Sequence, residues 1–165
     1  MSVALYVLDT SYLVELFGCG RDSNPAASAE VRRLFKEANN RGGRFFVPLP
    51  CLFELGDHIA DVKHEELRAR LAAQLAETVT KCLGENKPWT ITPTGLPQDV
   101  LPELLKDFSC LASSRQVGLV DAFTASEAKR LKANLRAYKA RVHIWTNDRS
   151  LKVMEPDIEE GPYFW

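Results

Sequence analysis

What this chain lacks narrows its class before any motif is read. No stretch approaches the roughly 18 uninterrupted apolar residues that a membrane-crossing helix requires, so a protein that does not span a bilayer is expected. The opening residues carry neither a basic leader region nor a small-residue cleavage site, which reads against a secretory signal. Cys19, Cys51, Cys82 and Cys110 lie about thirty residues apart, with no CxxC pair and no Cys/His cluster of zinc spacing. The expectation is four reduced, mostly buried thiols in a cytoplasmic protein. Nor is there an excess of one charge: 21 basic and 22 acidic residues leave a net charge of -1, which excludes the strongly basic signature of many nucleic-acid binders. A polyanion would have to be met by one local basic surface, or by metal ions held on acidic residues. Repeats, low-complexity segments and long linkers are absent as well. At 165 residues, a single domain over 1–165 is expected, with a tail from about 155.

What is present alternates between strand and helix. Val3 to Leu8 form a nearly unbroken apolar run, the pattern of a strand buried on both faces of a parallel sheet. Asp9 ends it, and Thr10 and Ser11 lead into a helix with Leu13, Leu16 and Phe17 at helical spacing. Asn24 and Pro25 are suited to open a second helix bearing Val31, Leu34, Phe35 and Ala38, which Gly42 and Gly43 end. Residues 44–49 read as a second strand. Pro50 opens a helix that buries Leu52, Leu55, Ile59 and Val62, and residues 64–84 form another. A third strand is expected over 89–94, a helix over about 98–114, and a long helix after Gly118 with a stripe from Val120 to Tyr138. Residues 141–146 make the fourth strand. The alternation predicts an α/β fold, with a central parallel sheet of four or five strands flanked by helices.

Four carboxylates stand out against this pattern. Asp9 and Asp148 follow strand-like runs, at the place where open α/β sheets bind ligands. Glu54 and Asp121 enter the first turns of helices inside apolar segments, "PLPCLFELG" and "VGLVDAFTAS". Burying a charge there is costly unless it is paired or ligates a metal, and no obvious Lys or Arg partner stands beside them. Oxygen donors without His or Cys suit hard divalent ions such as Mg2+ or Mn2+, and such clusters suit phosphodiester hydrolysis.

Taken together, "VLDTSYLVELF", "VPLPCLFELGD", "GLVDAFTASEAKRL" and "IWTNDRSLK" resemble the PIN-domain nucleases, most closely the VapC-like ribonuclease toxins of toxin–antitoxin modules. The resemblance spans most of the chain, with the acids in the family's order at separations of 45, 67 and 27 residues. It implies a PIN-like fold and an Mg2+- or Mn2+-dependent endoribonuclease leaving a 5'-phosphate and a 3'-hydroxyl. Asp9, Glu54, Asp121 and Asp148 would be the catalytic metal ligands, with Thr10, Ser11, Thr146 and Asn147 orienting them. It further implies an RNA substrate, a homodimer and, for a toxin, a cognate antitoxin. The chain departs from the compact toxin pattern at Leu151, where an aromatic is common, and in a longer stretch from about Val62 to Gln98, which leaves a PIN nuclease outside the toxin group, acting in RNA processing or another defence system, as the alternative.

Other readings weigh less. Lys129, Lys132, Arg136 and Lys139 recur at helical intervals and form a candidate RNA-binding stripe, or simply a wet helix face. Arg32, Arg33, Lys36, Arg41 and Arg44 form a second patch with poorer periodicity. Asp57 and Asp61 can share a helix face with Glu54; Asp57 is read as solvated, and His58 and His64 as surface or satisfied residues. Arg136 and His143 match the spacing of the helical HEPN ribonucleases, yet His143 falls in a strand. A haloacid-dehalogenase-like phosphatase needs a second Asp where Ser11 stands, and a dinucleotide-binding protein needs a glycine-rich first turn. A binding or scaffold module without turnover has no reason to keep four mutually repelling carboxylates. The terminal Tyr163, Phe164 and Trp165 are expected to pack back on the domain.

Overall fold

The computed structural model describes residues 3–93, 98, 101–114, 117–135 and 138–159. Four strands, β1 (Ala4–Leu8), β2 (Arg44–Pro48), β3 (Thr90–Thr92) and β4 (Arg141–Trp145), form one all-parallel sheet in the order β3-β2-β1-β4. Among the described residues seven helices flank it: α1 (Thr10–Phe17), α2 (Pro25–Asn40), α3 (Leu49–Ala60), α4 (Glu65–Glu85), α5 (Leu101–Ser114), α6 (Leu119–Asn134) and α7 (Arg149–Lys152). The expected α/β architecture is therefore present, with four strands among the described residues.

Alternation along the strands builds a core on each face. In β1, Tyr6 and Leu8 join Phe45, Val47 and Trp145 against residues of α1 to α4 such as Leu13, Val31, Leu55 and Leu71. Leu5 and Val7 point the other way, with Val142 and Ile144, onto Ala125, Ala128 and Leu131 of α6. A strand covered on both sides has no solvent face to mark with polar residues, which is why the run from Val3 to Leu8 shows no alternation in sequence. Tyr6 lies at the centre of an aromatic cluster, its ring centroid 4.4 Å from that of Trp145 and 5.5 Å from that of Phe45.

The strand order decides where a ligand can sit. Moving from β1 to β2 to β3 runs outward on one side, and the chain then returns to place β4 on the other side of β1. The connections diverge between β1 and β4, and this switch point opens a crevice beyond their carboxyl ends.

β4 is an edge strand, and the segment after α7 covers it. Ile144 N donates to Glu155 Oε2 (3.0 Å) and Val142 N to Asp157 Oδ2 (2.7 Å), while Asp157 N donates to Val142 O (3.2 Å). Side-chain carboxylates thus take much of the place of a fifth strand and satisfy a row of backbone groups that would otherwise invite pairing with another chain. Lys152 Nζ, buried beneath, donates to Ile144 O (3.0 Å) and Glu155 Oε2 (2.7 Å).

Two expectations need correction. The third strand stops at Thr92, because Pro93 has no N–H to extend the ladder. Helix α6 ends at Asn134, four residues short of the expected stripe, and Tyr138 is 74% exposed. The chain has to reverse there to enter β4, and Lys139 takes a left-handed φ of 50° in doing so. His143 is a satisfied core residue, with Nδ1 2.9 Å from Asp157 O. The aromatic tail, Tyr163 to Trp165, lies outside the described residues.

Candidate metal centre

Each of the four acids is held by its local sequence. Asp9 follows β1 with extended backbone and caps α1, its Oδ2 accepting from Ser11 N (3.4 Å) and Ser11 Oγ (2.9 Å). The same oxygen accepts from Thr146 Oγ1 across the switch point (2.9 Å), and Asp9 N donates to Trp145 O (3.0 Å). Both hydroxyls are themselves oriented from behind: Asn147 N donates to Ser11 Oγ (2.9 Å) and Asp148 N to Thr146 Oγ1 (3.0 Å). An O–H has one proton to give, so a hydroxyl that accepts from a backbone N–H is set to donate to the carboxylate. Asp148 caps α7 through Oδ1, which accepts from Ser150 N (2.6 Å).

Glu54 lies in the second turn of α3, and its Oε2 accepts from Thr10 Oγ1 (2.6 Å). Asp121, in the first turn of α6, turns its Oδ2 back onto Gly118 N (3.0 Å). In every case one carboxylate oxygen is engaged by the fold, and the other receives no hydrogen bond from a described residue. None of the four enters an ion pair among the described residues.

All four acids line a single groove of about 500 Å³, together with Thr10, Ser11 and Asn147. Thr146 is buried just beneath, hydrogen-bonded to Asp9. The charges sense one another. Burial pushes the Asp121 carboxyl above its ordinary range, and Asp9, Asp148 and Glu54 push it further, against the opposing pull of the Gly118 N–H. The Cys51 thiol beneath the site is pushed up to about 12, first by burial and then by Asp9, which leaves it inert at neutral pH.

The groove also holds residues that the sequence reading set aside. Among the described residues, Glu15, Asp22, Asp57 and Asp61 bring its lining to eight carboxylates, and His58 lies among them. Glu15 is structural: its carboxylate accepts from Asn24 N (3.0 Å) and Ser28 Oγ (2.7 Å), holding the start of α2. Asp57 is exposed, as expected of a solvated residue, yet it faces this groove rather than open surface. The i+3 and i+7 spacing from Glu54 carried that signal.

The donor set fits a hard divalent cation. It is all oxygen, it enters no ion pair with Lys or Arg among the described residues, and the amide oxygen of Asn147 beside it is buried without a hydrogen-bond partner among them. As the side chains stand, no three His, Cys, Asp or Glu groups among the described residues already form a metal-ligating arrangement.

The candidate RNA-binding stripe does not hold together. With α6 ending at Asn134, Lys139 lies in the following turn, while Arg136 lies outside the described residues. Lys132 is drawn to the strand edge, where Nζ donates to Asp157 Oδ2 (2.6 Å) and Ala140 O (2.8 Å). Lys129 alone remains an exposed cation of α6 in the expected set. In the second patch, Arg33 is engaged by Glu30 and Glu37 on its own helix.

No protein-family model matches the chain, and no curated protein matches its sequence.

Proposed function

We propose that this protein is a divalent-metal-dependent endoribonuclease of the PIN-domain type, hydrolysing RNA phosphodiester bonds to a 5'-phosphate and a 3'-hydroxyl. The observation that carries the reading is the gathering of Asp9, Glu54, Asp121 and Asp148, from four separate stretches of chain, on one groove at the switch point of the sheet. These four residues would hold the divalent ions, which when bound lower the pKa of an attacking water and offset charge on the phosphate and the leaving oxygen.

The protein's own part is positioning. Ser11 and Thr146 fix the Asp9 carboxylate from two sides, Thr10 fixes Glu54, and the first turn of α6 fixes Asp121. Such supporting hydrogen bonds set ligand orientation, and losing one typically costs about 10- to 100-fold in metal affinity or activity. A scaffold that only bound RNA would be stabilised by neutralising this cluster, so retention of four repelling acids favours turnover.

The likeness to VapC-type toxins extends the proposal to a cytoplasmic, homodimeric toxin restrained by a cognate antitoxin. No helix among the described residues is long and apolar enough to cross a membrane. Cleavage of an end-labelled RNA with Mn2+, with and without chelator, tests the core of the reading. Chelator-sensitive cleavage lost in both Asp9→Asn and Asp121→Asn is expected; equal cleavage by the variants refutes it. Co-purification of a small partner with the natively expressed protein tests the toxin assignment.

A further inference from the structure

Part of the groove lies beyond the four acids. Along α3, Glu54, Asp57, His58 and Asp61 occupy positions i, i+3, i+4 and i+7, one stripe of a helix, beside the buried row Cys51, Leu55 and Ile59. Among the described residues that line the groove, His58 is the one whose side chain can carry positive charge. It is braced from another element. Its Nδ1 lies 2.9 Å from Asp22 Oδ2, on the short turn Gly20–Asp22. That turn is reached through Gly18 and Gly20, both left-handed with φ of 70° and 59°, a conformation that favours glycine. With Nδ1–H donating to Asp22, the ring is fixed and Nε2 is left to meet another group.

A polyanion entering a groove lined by eight carboxylates meets repulsion wherever a cation does not offset it. Bound divalent ions would do so at the four-acid end. One helical turn further along α3, about 5.4 Å on, an RNA strand would pass Asp57 and Asp61. We propose that His58, held by Asp22, is the residue that contacts the phosphate neighbouring the scissile one and so sets the register of single-stranded RNA in the groove. The assignment rests on the nuclease reading above. It makes His58 a substrate-binding residue, with Asp22 positioning it.

The test combines steady-state cleavage with Mn2+ and fluorescence anisotropy of a fluorescein-labelled, mixed-sequence 20-nucleotide RNA with Ca2+. For His58→Gln, KM and Kd should rise about fivefold to tenfold, the net worth of one ordinary hydrogen bond, with kcat changed less than twofold. His58→Lys should restore affinity to within about twofold, since it again places a phosphate-binding N–H donor at that position. Asp22→Asn should fall between the native protein and His58→Gln. His64→Asn, which removes a nearby imidazole while keeping a residue able to cap α4, should match the native protein.

Unchanged KM and Kd in His58→Gln, with cleavage intact, overturns this assignment and leaves the nuclease reading standing. A fall in kcat and in Mn2+-induced thermal stabilisation at constant KM would place His58 with the metal and likewise overturn it. So would a loss of affinity that tracks a lowered melting temperature and is not rescued by Lys, since that marks a purely structural brace. Absence of any Mn2+-dependent cleavage by the native protein sinks the assignment and the nuclease reading together.

Discussion

Replacing Asp121 by Asn should make the protein more stable without metal and less stable with it. The amide oxygen of Asn can still accept from Gly118 N, now 3.0 Å from Asp121 Oδ2, so the start of α6 is preserved. What disappears is one negative charge facing Asp9, Asp148 and Glu54. Like charges on a wet surface cost roughly 0.2–0.5 kcal/mol per pair, so three such terms amount to about 1 kcal/mol. For a chain of this size that is a rise of roughly 2–4 °C in melting temperature.

The sign of the pH dependence follows from the same interaction. The Asp121 carboxyl is held above its ordinary value, by burial first and by the three acids next, so the native state binds its proton more tightly than the unfolded chain does. Ionised Asp121 therefore costs stability above its native pKa, and that cost is relieved as pH falls through that value toward the unfolded one. The advantage of Asn should shrink over this window. In Mn2+ at a hundred times the dissociation constant, a metal-binding native protein gains about 2.7 kcal/mol, and a variant binding tenfold more weakly gains about 1.4 kcal/mol less. The order of stability should invert. Differential scanning fluorimetry in chelator and in Mn2+, from pH 4 to 8, reads both effects. If Asp121→Asn melts lower than native in chelator, or if the two proteins gain equally from Mn2+, the account of a repulsive, metal-binding cluster is wrong.

Other consequences are independent of the metal. Lys152→Ala should destabilise the fold by about 3–5 kcal/mol in urea unfolding, because it leaves the Glu155 carboxylate buried beside β4 without its cation. Asp157→Asn should cost about 1–2 kcal/mol at pH 7 by weakening the contacts to Lys132 and Val142 N. Although burial alone would raise it, the Asp157 carboxyl is held below its ordinary range by those two groups. Its contribution is therefore present above the unfolded carboxyl pKa and lost as pH falls through the native one, where variant and native stabilities should converge. Gly43→Ala should cost about 1–3 kcal/mol, since an added Cβ would lie 2.8 Å from both Ala38 O and the Tyr6 ring. At pH 8 a thiol reagent should modify the exposed Cys110 first, leaving Cys19, raised to about 11, and Cys51, raised to about 12, until the protein unfolds; early labelling of Cys51 would contradict its burial.

The sequence carried the helices and strands wherever their signals are local. Asn24 ahead of Pro25 marks the start of α2, and Asn24 Oδ1 indeed accepts from Ala26 N (2.9 Å). It also marked the four acids, because a carboxylate interrupting an apolar run is visible without knowing the fold. The stripe on α6 failed because helical spacing continues in sequence past the point where the backbone must turn into β4. Lys132 looked like a solvent-facing cation because its partner, Asp157, lies 25 residues away, beyond a strand.

Periodicity and caps are set between residues a few positions apart, so the sequence by itself determined the α/β class, the element order and the identity of the four acids. Only the tertiary structure decided that they share a groove, because their meeting depends on β4 returning to the far side of β1. It alone revealed the Thr10–Glu54 and Thr146–Asp9 bonds, spanning 44 and 137 residues, and the pairing of His58 with Asp22 across 36. Contacts at that range are specified by packing of the whole sheet and leave no periodic trace in the chain.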